Sequence, residues 1–145
     1  MSNNPLINDD SLGLLIADIA RLMRAEFAKA LTNSPLTFAE ARALIYVARF
    51  EGARQVELAE YAELQPMTMA RLIDTLVSHQ FVERRPDPQD RRAFRIYLCE
   101  AATAEIARIK ACGLSLQQQA LQGIDEFQIK GLLSLLRQNL QQMGQ

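Results

Sequence analysis

Phe81-Val82-Glu83-Arg84-Arg85-Pro86-Asp87-Pro88-Gln89-Asp90-Arg91-Arg92-Ala93-Phe94-Arg95-Ile96-Tyr97-Leu98 is the stretch that decides the fold. Near its two ends, over 81–84 and 94–98, apolar and polar residues alternate with a period of two. That spacing predicts two half-buried strands, with Phe94, Ile96 and Leu98 on one face. Between them Pro86-Asp87-Pro88-Gln89-Asp90 is rich in turn formers, so the stretch predicts a β-hairpin. Its tip is basic. Five arginines (84, 85, 91, 92 and 95) against two aspartates (87 and 90) give a net +3 within residues 84–95. The whole chain has 16 basic and 17 acidic residues, net −1, which leaves −4 on the remainder. A basic patch on a mildly acidic chain addresses an anionic partner, unless it is only a solvated, salt-bridged turn.

On both sides of the hairpin the apolar period is helical. Upstream, Pro66 suits a first helical turn, where its missing N–H is no loss, and opens a helix to about His79-Gln80. This helix is expected to bury Met69, Leu72, Ile73, Leu76 and Val77, with Met67, Thr68, Arg71, Asp74, Thr75 and Ser78 outside. Before it, a short helix runs from about Gln55 to Ala62 with Val56, Leu58, Ala59 and Ala62 inside. Earlier still, Thr37-Phe38-Ala39-Glu40 reads as a capping box that opens a helix closed at Gly52. The first helix spans from Asp9 or Asp10 to Leu31, capped by the cluster Asn8-Asp9-Asp10-Ser11 and stopped by Asn33-Ser34-Pro35. Downstream, Ala102, Ile106, Ile109, Gly113, Leu116 and Ala120 form a narrow seam of the kind that packs on another helix. Phe127, Ile129, Leu132, Leu133, Leu136 and Leu140 mark a last helix, capped by Asp125. The expected fold is mainly α with a small β-hairpin wing: a winged helix-turn-helix flanked by helices at both ends.

The 145 residues suit one core, and 49% hydrophobic with 23% charged residues excludes a disordered or fibrous chain. No apolar run reaches the ~18 residues of a membrane span. Met1-Ser2-Asn3-Asn4-Pro5 lacks the basic and apolar regions of a secretory signal, so a cytoplasmic protein is expected. Cys99 and Cys112 are too few for a disulfide scaffold and are expected to be small buried hydrophobes. The one histidine, His79, ends a helix and makes no catalytic or metal-binding pair. With no glycine-rich phosphate loop, no nucleophile beside a base and no clustered carboxylates, no enzyme, cofactor or metal is expected. Thirteen of the 16 basic residues are arginine, the side chain suited to bidentate contacts with phosphate and guanine.

Leu72-Ile73-Asp74-Thr75-Leu76-Val77, then Phe81-Val82-Glu83-Arg84, then Asp87-Pro88-Gln89-Asp90-Arg91-Arg92-Ala93 resembles the MarR/SlyA family of bacterial transcriptional regulators. In that family an L-I-D-x-L helix is followed by G-L-V-E-R, a D-x-x-D-R-R wing tip and a strand ending V-x-L-T. The resemblance covers nearly the whole chain. It departs at Gln80-Phe81, which replaces Gly-Leu, and at Cys99, which replaces Thr.

The resemblance implies an obligate homodimer, with residues 1–34 and 100–145 as dimerisation helices around a DNA-binding domain at 35–99. Each protomer would place its fourth helix in the major groove and its wing over the minor groove. Recognition helices ~34 Å apart would then read a pseudo-palindromic promoter site, and repression by covering that site is expected. Pro66, Met67, Thr68 and Arg71 stand where base edges are met; Arg71 would fork onto guanine and Met67 would touch a thymine methyl. Arg92, beside Arg91, matches the family's minor-groove arginine, and Asp90 matches the carboxylate that orients it. Thr37, Arg54, Gln55, Arg84 and Arg85 are candidate phosphate contacts. The family also implies a crevice for a small aromatic or lipophilic anion, lined here by Arg21, Arg24, Phe27, Phe38, Arg42 and Tyr46; the rings are equally good core residues. The reactive cysteine that redox-sensing members carry in the first helix is missing. The alternative is a winged helix that binds only protein, for which an arginine-rich tip and an exposed Arg71 would be superfluous.

Overall fold

The computed structural model describes residues 11–144. Its elements are α1 (Leu12–Ala30), α2 (Phe38–Arg49), α3 (Gln55–Tyr61), α4 (Pro66–Ser78), β1 (Val82–Pro86), β2 (Phe94–Leu98), α5 (Ala102–Ala120) and α6 (Glu126–Met143). This is the expected mainly helical fold with one antiparallel hairpin. The chain divides into one unit up to Gly113 and a second from Leu114 onward, so the division falls inside α5.

Local chemistry explains where the helices of the first unit begin and end. Thr37 caps α2: its hydroxyl accepts from the Glu40 amide at 3.3 Å while the Glu40 carboxylate accepts from the Thr37 amide at 2.8 Å. Pro66 stands in the first turn of α4 as expected. The first helix starts at Leu12, with Ser11 as an N-cap that makes no side-chain bond; Asn8, Asp9 and Asp10 lie outside the described residues. Helices α3 and α4 both end in Schellman turns. After α4 the Gln80 amide bonds Val77 and the Phe81 amide bonds Leu76; after α3 the Glu63 amide bonds Glu60 and the Leu64 amide bonds Ala59. These turns need a left-handed residue, and Glu63 (φ 55°) and Gln80 (φ 61°) supply it without being glycine.

The core of this unit gathers Leu44 and Val47 of α2, Leu58 of α3, Met69, Ile73 and Leu76 of α4, Val82 of β1 and Ile96 of β2. Burying each such side chain stabilises the fold by ~1.5–3 kcal/mol. The sheet gains a third short segment, because the turn before α3 pairs with β2. The Gly52 amide bonds Ile96 at 2.9 Å, the Ile96 amide bonds Ala53 at 3.0 Å, and Arg54 bridges to Arg95. Gly52 turns the chain into that pairing at φ 86°, a backbone conformation that strains any residue with a Cβ.

Several expected core positions lie elsewhere. Val56 is 47% exposed, since it sits ~200° of helix rotation from the inward Leu58. Val77 is exposed on the last turn of α4, one step round from buried Leu76. Phe94 pairs with Pro86 at the tip end of the hairpin, beyond the covering helices, and is 42% exposed. Cys99 and Cys112 are half-buried, not buried; the Cys112 thiol donates to the Ala30 carbonyl at 3.5 Å. Within α5, Ala102 and Ile109 are buried and Ile106 is half-buried, whereas Ala120 is exposed.

The second unit consists of the end of α5, a turn at Gly123 and α6. Asp125 caps α6 as expected, accepting from the Gln128 amide at 3.0 Å. Glu126 accepts from Gln117 at 2.8 Å and pairs with Lys130 at 2.5 Å. No residue of α6 is buried, and Phe127, Leu132, Leu133, Leu135 and Leu140 stand exposed.

Candidate nucleic-acid interface

Two features of the first unit carry the candidate residues: the outer face of α4 and the hairpin tip. On α4, burial of Met69, Ile73 and Leu76 turns Met67, Thr68, Arg71 and Asp74 outward. Met67 is 68% exposed, and the Arg71 guanidinium rests against its sulfur at 3.8 Å. Pro66 is exposed beside them. A cation, a soft thioether and a hydroxyl therefore share the first two turns. That set offers a forked donor, an apolar contact for a methyl group and a short hydrogen-bonding group.

At the hairpin tip, Arg91 and Arg92 are exposed, and neither is in an ion pair among the described residues. The Asp90 carboxylate accepts from the Arg92 backbone amide at 3.0 Å, so it shapes the turn under the Arg92 side chain. Arg85 is half exposed, lies over the Tyr97 ring at 3.9 Å and pairs with Glu83.

The remaining candidates at the hairpin and at helix starts are engaged inside the unit. Arg84 donates to Gln55 at 2.9 Å and to the Ala70 carbonyl at 3.1 Å, and it pairs with Asp74 at 2.6 Å. It thereby ties β1 to α3 and α4, and it occupies the Gln55 carbonyl. Arg54, the N-cap of α3, gives its Nε to Asp87 at 2.7 Å. The Thr37 hydroxyl is taken by its capping box.

The sequence marks Asp87 only as a turn former and as the first residue of the D-x-x-D-R-R tip, yet its side chain is fully buried. Arg54 and Arg95 flank it, and the Gln89 amide donates to it at 2.9 Å. That amide and the two guanidiniums hold its carboxyl below its ordinary value of 3.8, against the opposing effect of burial. The signals in the sequence are its place in that motif and its position between two prolines, within a run of arginines. Arg54 lies too far along the chain for any local pattern to reveal it.

Of the crevice candidates, Phe38 and Arg42 line a cavity of about 110 Å³ between α2 and α4, shared with Ala43, Leu64, Thr68 and Leu72. Phe27 packs edge-to-face on Phe38 at 5.6 Å, and the Arg42 guanidinium sits 5.3 Å from the Tyr46 ring centre. Arg42 also donates to the Ala62 carbonyl at 3.3 Å. Phe27 and Tyr46 thus pack against this wall without lining the cavity. Arg21 pairs with Asp18 at 3.5 Å on the exposed face of α1, and Arg24 is exposed on the same helix; neither lines the cavity.

A helix-turn-helix formed by α3 and α4 and closed by an arginine-tipped hairpin makes this a winged helix-turn-helix protein. Residues 36–94 match the MarR family model. Solved structures of similar fold extend the match over most of the chain. The regulator SlyA is 26% identical, with 92% of this chain and 94% of that one covered at a TM-score of 0.79. A MarR regulator from Methanosarcina mazei Go1 is 22% identical, with 91% and 97% covered at 0.83. A mutant form of Escherichia coli MarR, solved in complex with operator DNA, is 24% identical, with 90% and 94% covered at 0.78. Among the described residues no helix is long and apolar enough to cross a membrane, and no cluster of three metal-ligating side chains occurs.

Proposed function

We propose that this chain is a sequence-specific DNA-binding transcription regulator, not an enzyme. It acts as a homodimer and represses by covering a pseudo-palindromic promoter site. The observation that carries the reading is the pairing, within one unit, of an outward Met67–Thr68–Arg71 face with the exposed tip cations Arg91 and Arg92. A helix face of this kind suits the major groove, and free arginines on a narrow tip suit the minor groove. The similar E. coli protein was solved in complex with operator DNA, which supports DNA as the partner. Arg85 is the best placed of the remaining candidates for phosphate, being half exposed beside the tip. Arg54, Gln55, Arg84 and Thr37 act chiefly by holding the reading elements in place.

The reading extends to a signal. A small aromatic anion entering the apolar cavity beside Phe38 and Arg42 would press on α4 through Thr68 and Leu72. Release follows only if the ligand prefers the DNA-incompetent arrangement, and a tenfold release needs ~1.4 kcal/mol of differential affinity. Salicylate-like compounds titrated into the DNA complex test this part.

The test of the main reading uses duplexes selected from a random library by the parent protein. Arg71→Ala is expected to cost ~1–3 kcal/mol at one base position and relax preference there. Arg92→Ala is expected to weaken binding to most sequences and to lower the salt slope by ~0.9 for each phosphate no longer neutralised. If both variants bind like the parent, the site is elsewhere. If the parent selects no duplex, the protein-binding winged helix takes over.

A further inference from the structure

We propose that Asp87 is a positioning residue for the wing: its buried carboxylate holds the tip turn against the start of α3 and so sets the direction of Arg91 and Arg92. The inference rests on the DNA-reading function proposed above. Asp87 directly follows β1, and its two oxygens bond in different directions. Oδ1 accepts from the Gln89 amide at 2.9 Å and folds the tip back behind Pro88. Oδ2 accepts from Arg54 Nε at 2.7 Å and lies 3.4 Å from Arg95 Nε. One carboxylate therefore joins the tip turn, the N-cap of α3 and the middle strand of the small sheet.

A turn alone needs only the Gln89 bond, which a solvent-exposed aspartate makes equally well. Burying a carboxylate is unfavourable unless it is both paired and hydrogen-bonded, and here every such partner beyond Gln89 comes from outside the tip. The pairing thus adds docking rather than turn formation. Backbone bonds close the same loop: the Asp87 amide donates to Ala93 at 3.0 Å and the Ala93 amide to Asp90 at 3.0 Å. Arg91 and Arg92 project from this loop with no side-chain ion pair among the described residues, so their direction is inherited from the turn beneath them.

The experiment is a double-mutant cycle on the full-length protein, using duplexes selected from a random library by the parent. Asp87→Asn keeps the shape and the acceptor for Gln89 but removes the charge that holds Arg54 and Arg95. Expected are a folded variant, parental preferences at the positions read by α4, and a salt slope lower by ~0.9 for each phosphate no longer neutralised. Arg92→Ala should then cost much less in the Asp87→Asn background than in the parent, and amide exchange over 87–93 should accelerate. A purely structural contribution would lower the melting temperature while leaving the two effects additive. Additive effects with an unchanged salt slope overturn the inference while the DNA-reading function stands. A parent that selects no duplex overturns that function, and this inference with it. Should Asp87→Asn not fold, Arg95→Met removes one partner from the other side and enters the same cycle with Arg92→Ala; additivity there likewise overturns it.

Discussion

Gln80 holds a left-handed conformation (φ 61°) in which a Cβ is disfavoured, at the position where the resembling family carries glycine. The chain tolerates it because the Schellman turn brings buried Phe81 against buried Leu76. Removing the Cβ should therefore stabilise the fold. Gln80→Gly is expected to raise unfolding free energy by ~0.5–1 kcal/mol, the left-handed strain relieved less the added freedom of the unfolded chain. Urea denaturation measures it, and a destabilised variant would show that the Gln80 side chain makes a compensating contact. Cys99 poses a different question at the same scale. Burial raises its thiol above the ordinary 9.0, Glu83 adds to the effect, and Arg85 opposes it. A protonated thiol is a poor nucleophile. In a Cys112→Ser background, labelling of Cys99 by a disulfide reagent should be slower than that of glutathione at pH 7 and should keep rising with pH past 9. Rapid labelling at neutral pH would reopen oxidant sensing at this residue.

The helix-turn-helix and wing behave as a linked set of elements because polar pairs cross between them. Arg84 joins β1 to α4, and Asp87 joins the tip to α3. The second link has a definite pH signature. The folded-state pKa of Asp87 lies below its ordinary 3.8, so the folded protein binds fewer protons than the unfolded chain in that range. Its contribution is then complete above ~pH 5 and disappears as the pH falls past 3.8 toward the folded value. The stability gap between the parent and Asp87→Asn should be constant from neutrality to about pH 5 and should narrow below that. Urea melts of both proteins across this range provide the measurement; a gap that widens on acidification would mean that the pair is not formed in solution.

At the scale of the whole molecule the notable fact is apolar surface. Along α1, Leu12, Leu15, Ile16, Ile19, Leu22 and Met23 are exposed, and along α6 Phe127 reaches 88% exposure. Monomeric proteins rarely leave such faces bare, and a second copy of the chain is the occupant that the homodimer reading supplies. Sedimentation should give the mass of two chains at micromolar concentration. Leu15→Glu combined with Leu132→Glu should shift it to one and remove most of the DNA affinity, because a single half-site contributes far less than two linked ones. A parental monomer at that concentration would overturn the dimer.

The order of elements is legible from local pattern, since each signal is carried by neighbouring residues. The Thr37–Glu40 box, Pro66 at the head of α4, the switch from a period of 3.6 to 2 near Phe81 and the Asp125 cap all act within one turn of chain. The outward face of α4 follows for the same reason, because helical periodicity separates Arg71 from Ile73 without knowledge of the partner. Apolar composition alone misleads at Val56 and Val77, which lie on the outer side of their helices, and at Phe94, which lies at the tip end of the hairpin beyond the covering helices. The long-range partners of Arg54, Arg84 and Arg95 depend on the tertiary fold alone. Arg84, Arg91 and Arg92 are alike in sequence, yet one is bound by Asp74 and Gln55 and the other two are free of ion pairs among the described residues. Only folding brings Arg54 and Arg95 onto Asp87, since electrostatic pairing acts through space and leaves no periodicity in the chain.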